Sequence, residues 1–397
     1  WPEKGTHVMA VQANNSAAEL TVSLAPSLET GETFTFEFGL LGTPIKKLPE
    51  NYPLNIMGGY SELNRPGKTP TCYTTFTKWM DGQTHGDCLA NLPPENNPLL
   101  NLYQKEITRL EQYGTKPFPY AMKMSIPDEY PEVAAFLQEW KVVPLQPYPY
   151  TKNGQKYGVH TLCPTTAACE FYVWNTQQLL KQAKFGGLYF DYGTTTECNN
   201  NLHGCYGRTA ILATREHLRR IALALLDSGA NDYVIVMHNT DHIQAPALTF
   251  VTHLFNGEHI RQASSSLLHD GKDILDTYPL AMFACELNSL PFGITNSGYM
   301  PADVLSPKYG GGKEKPELYV LRMTRAMLAG MLVHNSMPAM NRCHHGIFDK
   351  VVRIYDAFGV PKAKFFGYYN PENPAVVIEG DEVYASTYRH ANGKEML

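Results

Sequence analysis

Charged and polar residues follow two apolar runs of this sequence. The run 185–190 leads directly into Asp191, and the run 233–237 leads into His238. Burying an unpaired charge is costly, so a carboxylate that ends a buried strand is either a cap or a group kept there for chemistry. We expect Asp191 and His238 to lie in one site, because polar residues at the ends of parallel strands meet at one face of a barrel.

Two further carboxylates occupy comparable positions. Glu258 follows Asn256-Gly257 in a looser segment, and Glu286 ends an apolar run. Hydrolysis of a glycosidic bond needs one ionised and one protonated carboxyl group. Asp191, fixed by its strand, is predicted to be the nucleophile or the stabiliser of a cationic transition state. The more mobile Glu258 is predicted to converge on the same pocket and to act as general acid, and Glu286 takes that role if Glu258 faces away.

The loop after Asp191 is rich in planar amides, which form paired hydrogen bonds with sugar hydroxyl groups. The predicted substrate-binding residues are Asn199, His203, Arg208, His238 and Asn239. Residue types that bind metals also occur at 238–242 and 343–345, but neither segment has the spacing of a recognised zinc motif. We therefore predict no metal site and no cofactor.

Between these residues, segments with the apolar spacing of strands alternate with segments that have the apolar spacing of helices. After a clear strand pattern at 33–41, apolar runs predict strands at 117–125, 186–191, 233–238, 248–254, 280–286 and 331–334. Helical spacing predicts helices at 101–113, 131–140, 167–184, 214–227, 317–329 and 348–358, with Thr214 as an N-cap. About eight strands that alternate with helices form either a (β/α)8 barrel or a doubly wound sheet. No GxGxxG or GxxxxGK[ST] motif follows a strand, so we favour the barrel.

The predicted fold class is therefore α/β, a (β/α)8 TIM-type barrel flanked by β-sandwich-like segments at both termini. Three regions are expected. Residues 1–32 form the end of an N-terminal β-rich domain, residues 33–370 form the catalytic barrel, and residues 371–397 begin a C-terminal β-rich segment with a hairpin near 380.

Composition limits the classes of partner. The chain has 397 residues, a net charge of −5 and only 18% charged residues, and it lacks a long basic run, which argues against nucleic acid. No stretch of about 18 apolar residues is present, so no membrane span is predicted. The many glycine, proline, tyrosine and asparagine residues suit a surface that binds neutral polar ligands. A carbohydrate substrate is the expected partner.

The eight cysteines bear on the cellular compartment in which the protein is located. Cys198 and Cys205 flank a short polar loop, and Cys72 and Cys88 flank another. Both pairs are predicted to form loop-closing disulfides, which require an oxidising environment. A secreted or periplasmic location follows from that prediction. The alternative reading, reduced and buried thiols, fits Cys169 and Cys285 better.

Several motifs together resemble one family. The segments GGLYFDYG, CNNNLHGCYGR, TREHLRRIALAL and TFVTHLFNGEHI follow one another in the order found in a bacterial barrel domain similar to family 123 glycoside hydrolases. The opening FGLLGTPIKKLP resembles the entry into that barrel, and the resemblance spans roughly residues 33–370. It implies a glycosidase barrel. In family 123 enzymes an adjacent Asp-Glu pair assists an attack by the substrate's acetamido group, and Asp128-Glu129 is the candidate pair here. That pair also reads as the acidic first turn of a helix, the reading that we favour.

Three functions remain open on the residues alone. A glycoside hydrolase that uses paired strand-end carboxylates is the leading expectation. A polysaccharide lyase with a histidine or tyrosine base is the second, and would depend on His203, Arg208 and His238. A non-catalytic glycan-binding barrel is the third, and predicts that the strand-end acids are dispensable.

Overall fold

The computed structural model describes residues 9–13, 17–22, 31, 39–50, 52–57, 72–76, 104–105, 107–110, 116–152, 154–183, 185–191, 193, 195–205, 207–239, 243–258, 260, 274–276, 278–299, 316–340, 343–375 and 383–397. The chain divides into two compact units, Trp1–Gly42 and Thr43–Leu397. In the first unit, β1 (Met9–Ala13) and β2 (Ala18–Val22) pair as an antiparallel hairpin. The strand predicted at 33–41 lies largely outside the described residues.

The second unit alternates strands and helices. Its elements are β3 (Ile56–Met57), β4 (Cys72–Phe76), β5 (Lys116–Met122), β6 (Ser125–Pro127), α1 (Pro131–Trp140), β7 (Tyr148–Lys152), β8 (Gln155–Thr161), α2 (Ala168–Gln182), β9 (Gly187–Asp191), β10 (Glu197–Cys198), β11 (Arg208–Thr209), α3 (Ile211–Asp227), β12 (Val234–His238), β13 (His253–Asn256), α4 (Leu280–Glu286), β14 (Thr295–Gly298), α5 (Pro316–Leu332), β15 (Met337–Pro338), α6 (His345–Phe358), β16 (Lys364–Phe366), β17 (Thr387–Arg389) and β18 (Glu395–Met396).

Eight of these strands form one parallel sheet in the order β3-β4-β5-β9-β12-β13-β14-β15. The sheet closes on itself, because the amide of Met340, just after β15, donates to the carbonyl of Met57 in β3 at 2.9 Å. Closure of eight parallel strands with helices between them makes a (β/α)8 TIM-type barrel, as predicted.

Successive side chains of a barrel strand point alternately into the barrel and out toward the helices. In β9, Tyr189 packs with Tyr120 and Phe255 in one cluster inside the barrel. Its neighbours Leu188 and Phe190 pack in a second cluster, against the helices outside. Asp191 has the parity of Tyr189 and therefore points into the mouth of the barrel.

Helix predictions were more accurate than strand predictions. Helix α1 is confirmed to the residue, and α2, α5 and α6 extend or shorten their predicted ranges by a few residues. Helix α3 begins at Ile211, so Thr214 is not its N-cap. Among the described residues, no helix is long and apolar enough to cross a bilayer.

Three strand predictions were wrong. The segment 280–286 is helix α4, and the seventh strand of the barrel is β14. The segment 248–254 is a 3-10 helix at its start, and the strand begins at His253. The last strand is β15 rather than 331–334, which ends helix α5.

Small antiparallel sheets extend the second unit. Strands β6, β8 and β7 form one such sheet directly after the third barrel strand. Strands β16, β17 and β18 form another near the C-terminus. This last sheet packs on the barrel, since the Tyr388 hydroxyl donates to Asn335 Oδ1 at 2.8 Å. Part of the hairpin predicted near 380 lies outside the described residues.

Two core histidines predict a pH-dependent stability. Burial lowers the pKa of His217 and of His253 to about 3. The unfolded chain binds protons at these sites near the ordinary pKa of about 6.5, whereas the folded chain does not until the pH falls to about 3. The contribution of these histidines to the free energy of unfolding therefore has its full value above about pH 6.5. It declines as the pH falls, by about 1.4 kcal/mol per pH unit for each histidine.

Urea titrations between pH 4 and 7 measure that decline. A His217→Gln variant is expected to be less stable at every pH, but its free energy of unfolding should fall less steeply, by about 1.4 kcal/mol per pH unit. An unchanged slope would show that His217 is protonated in the folded chain.

Candidate active site

Asp191 and His238 meet at the carboxyl ends of adjacent strands. Asp191 ends β9, the fourth strand of the barrel, and His238 ends β12, the fifth. His238 Nδ1 lies 2.7 Å from Asp191 Oδ1, and the Tyr120 hydroxyl donates to Asp191 Oδ2. Because a carboxylate only accepts, Nδ1 carries the hydrogen. The two donors fix the orientation of the carboxylate and stabilise its negative charge.

Glu258 reaches the same histidine from the sixth strand. Its Oε2 lies 3.3 Å from His238 Nε2, at ion-pair distance, although the contact is not an aligned hydrogen bond. The chain turns at Gly257, whose φ of +99° is the left-handed conformation that favours glycine. Glu258 thus lies beside the ring of His238, in the same site as Asp191.

Aromatic rings surround the histidine. Tyr299 stacks on the His238 ring, with centroids 5.8 Å apart and planes within 4°. Tyr189 packs beside His238, and burial together with the charge of Asp191 raises the pKa of Tyr189 well above its usual value, so this tyrosine stays protonated. The His238 side chain is only 6% exposed, whereas those of Asp191 and Glu258 are 17% and 24% exposed and accessible from the barrel mouth.

Backbone contacts hold the strand ends in register. The amide of Gly193, two residues after Asp191, donates to the carbonyl of His238 at 2.9 Å. A side chain on Gly193 would place its Cβ 1.9 Å from Met237 Cγ, so the close approach requires glycine. The strand ends that carry the acid and the histidine are therefore fixed relative to each other.

Asparagines connect the next strand ends. Asn239 is 3% exposed and donates from Nδ2 to Asn256 Oδ1 at 3.0 Å, and Asn256 donates in turn to the carbonyl of Glu286 at 2.8 Å. Asn239 was predicted to bind substrate, but the structure gives this amide an internal contact between β12 and β13.

Glu286 does not end a barrel strand, contrary to the expectation. It ends helix α4, and its backbone carbonyl accepts hydrogen bonds from Asn256 and Asn296. The apolar run 280–286 is too short for periodicity to distinguish a strand from a helix. Because Glu258 faces His238, the substitute role predicted for Glu286 is not needed.

Asn199 and Arg208 are not brought into this constellation by any described contact. Asn199 is exposed, and its backbone amide donates to the carbonyl of Val143. Arg208 lies on β11, and its side chain is outside the described residues. Asp241 and His242, in the segment 238–242 where no metal site was predicted, are also outside the described residues.

His203 and the cysteines beside it form a different group. Both His203 ring nitrogens are engaged, Nε2 at 3.3 Å from Cys198 Sγ and Nδ1 with the Glu139 carbonyl, which leaves neither for a sugar hydroxyl. The disulfide predicted between Cys198 and Cys205 is not formed, since both are free thiols. The secreted or periplasmic location stays a prediction. Cys88, of the other predicted pair, lies outside the described residues.

The acidic pair Asp128-Glu129 lies just before a helix and not in its first turn, the reading that we favoured, because Tyr130 is the N-cap and Glu132 is the acid of the first turn. Helix α1 begins at Pro131, and Asp128 accepts hydrogen bonds from the Gly158 amide at 2.9 Å and from His160 at 3.1 Å. These contacts tie Asp128 to strand β8.

Lys123 is a buried residue near the site that the sequence reading missed. It follows β5 directly, is 5% exposed, and donates to Thr195 Oγ1 at 2.9 Å. Burial lowers its pKa to about 7. The predicted strand ran on to residue 125, which hid the fact that the barrel strand ends at Met122 with a lysine next to it.

Solved structures offer only distant likenesses. An α-amylase from Geobacillus thermoleovorans, complexed with acarbose, has a TM-score of 0.48 and 8% identity over 87% of this chain and 85% of that one. An α-L-fucosidase from Paenibacillus thiaminolyticus has a TM-score of 0.43 and 15% identity over 69% and 43%. A cycloisomaltooligosaccharide glucanotransferase from Paenibacillus sp. has a TM-score of 0.37 and 14% identity, and this chain covers only 34% of its length. No protein-family model and no curated protein matches the sequence.

Proposed function

We propose that this protein is a glycoside hydrolase whose catalytic pair is Asp191 and Glu258. One observation carries the proposal. Carboxylates from the fourth and sixth strands of the barrel face a single histidine from the fifth, at 2.7 and 3.3 Å, in the mouth of the barrel. Two carboxyl groups in different environments suit cleavage of a glycosidic bond, which requires one ionised and one protonated carboxyl group.

The contacts suggest a division of roles. Asp191 is rigid and receives hydrogen bonds from Tyr120 and His238, which suits a nucleophile or a stabiliser of the cationic transition state. Glu258 lies beside His238 and is more exposed than Asp191, which suits a general acid that protonates the leaving oxygen.

The family resemblance fits the same residues. Asp191 ends the G-[IL]-Y-F-D segment, His238 begins the histidine-asparagine pair, and Glu258 is the glutamate of the glycine-glutamate pair. Three separate motifs of the group similar to family 123 enzymes thus supply one cluster, and we propose that this chain is related to that group. The acetamido-assisted mechanism has no comparable support, because Asp128 is bound to Gly158 and His160.

A panel of neutral and uronic-acid oligosaccharides tests the proposal. A hydrolase releases new reducing ends without forming an unsaturated sugar, whereas a lyase creates an unsaturated product that absorbs in the ultraviolet. The high pKa of Tyr189 argues against that tyrosine as a lyase base. Unsaturated products would overturn the proposal, and binding without any cleavage across the panel would favour a glycan-binding barrel.

A further inference from the structure

Four potential metal ligands converge at a place that the proposed reaction does not use. They are the sulfur atoms of Cys163, Cys198 and Cys205 and an imidazole nitrogen of His203, all within 4.8 Å of one another. The three cysteines are nearly fully buried and the histidine is half-buried. Cys163 lies between β8 and α2, and the other three lie in the loop between β9 and α3.

The spacing of these atoms fits a tetrahedral ion. Zinc in structural sites lies about 2.3 Å from sulfur and about 2.1 Å from nitrogen, which sets ligand-to-ligand distances of roughly 3.5 to 3.8 Å. Cys163 Sγ lies 3.6 Å from Cys205 Sγ, within this range, and Cys198 Sγ lies 3.3 Å from His203 Nε2, slightly below it. All four ligand atoms lie within 4.8 Å of one another, so the site closes on an ion through shifts of about 1 Å or less. A disulfide needs only two sulfurs about 2.05 Å apart and would leave the third thiol and the imidazole unexplained.

His203 is oriented as a metal ligand requires. Its Nδ1 faces the backbone carbonyl of Glu139, so Nδ1 carries the hydrogen and Nε2 presents its lone pair toward Cys198. Such a hydrogen bond to a carbonyl fixes the tautomer of most metal-binding histidines. The contact also joins the loop to the end of helix α1.

The surrounding chain holds the ligands in place. Asn200 is buried, donates to the carbonyls of Gln138, Glu139 and Lys141, and accepts from the amide of Leu202. The amide of Gly207 donates to the carbonyl of Cys198, which closes the short β10-β11 pairing. The loop therefore keeps its shape through its own contacts and presents its ligands to one point.

We infer that Cys163, Cys198, His203 and Cys205 form a structural zinc site. On binding, the three thiols release their protons and the histidine coordinates through Nε2. The ion would fasten the loop that follows Asp191 to the end of α1 and to the segment after β8. This role is separate from the proposed hydrolytic reaction.

Metal analysis of the full chain, purified without an affinity tag, tests the inference. We expect one zinc per chain, and loss of that zinc in Cys198→Ser and Cys205→Ser variants. Cys285→Ser and Cys343→Ser are the matched controls, one exposed and one buried outside the cluster, and both should retain the metal. Hydrogen exchange in residues 195–209 should accelerate after removal of zinc by a chelator, while β9 stays protected.

A measurement on the unaltered sequence covers the case in which the variants do not fold. Replacement of zinc by Co²⁺ should give thiolate-to-cobalt charge-transfer bands and the intense visible bands of a tetrahedral site. Metal-free protein that fails to bind either Zn²⁺ or Co²⁺ would overturn the inference. So would an iron-containing protein, or a mass showing that two of the three cysteines have lost their hydrogens to a disulfide.

Discussion

Replacing Asp191 by asparagine is expected to lower kcat/KM on a cleaved glycan by about 10³-fold or more, which corresponds to about 4 kcal/mol of transition-state stabilisation. The substitution keeps the shape of the side chain and removes its charge. Asparagine can still accept the Tyr120 hydrogen bond, and the backbone of β9 is held by its parallel neighbours β5 and β12. The fold should therefore survive while the reaction does not.

Asp232→Asn is the matched control. Asp232 undergoes the same chemical change but lies just before β12, at the opposite end of the barrel, where it pairs with Lys116 on the surface. The activity of the Asp232→Asn variant should equal that of the unaltered protein. If Asp191→Asn, with an unchanged thermal unfolding curve, retains near-normal turnover, then Asp191 is a structural residue and the proposed mechanism is wrong.

The meeting of Asp191 and His238 could be predicted, because each of the two strands that they end is recognisable from its own sequence. The runs before Asp191 and His238 are apolar and buried on both faces, so β9 and β12 were recognisable, and closure of the barrel brings their ends together. Glu258 was placed near them although the strand before it was predicted several residues too early.

The seventh strand could not be predicted for a physical reason. Its sequence, Thr295–Gly298, is polar and small, yet every residue is buried. Two of these side chains bond to distant residues: Thr295 Oγ1 accepts from Asn55, and Asn296 donates to the Glu286 carbonyl. The pattern of apolar and polar residues within the strand gives no information about hydrogen-bond partners that are distant in the sequence. The cysteine-histidine cluster was missed for the same reason, since Cys163 is far from the other three ligands in the sequence.

Replacing Glu258 by glutamine is expected to affect substrates unequally. A general acid contributes about 10²- to 10⁴-fold to the rate when the leaving group is a sugar alkoxide, which needs a proton. An aryl glycoside with a strongly acidic phenol leaves without that help. We expect Glu258→Gln to lose most of its activity on oligosaccharides and to keep most of it on such an aryl glycoside, whereas Asp191→Asn should lose activity on both.

The contrast between the two leaving groups separates catalysis from a loss of structure. A Glu258→Gln protein that was merely misfolded would lose activity on both substrates in proportion, and Glu216→Gln, an exposed glutamate paired with Arg219 on α3, controls for the substitution itself. Because a general acid must be protonated to act, activity falls at high pH as it loses its proton, so the basic limb of the pH–rate profile should change in the Glu258→Gln variant. Equal losses on both leaving groups, with the fold intact, would remove Glu258 from the role of acid.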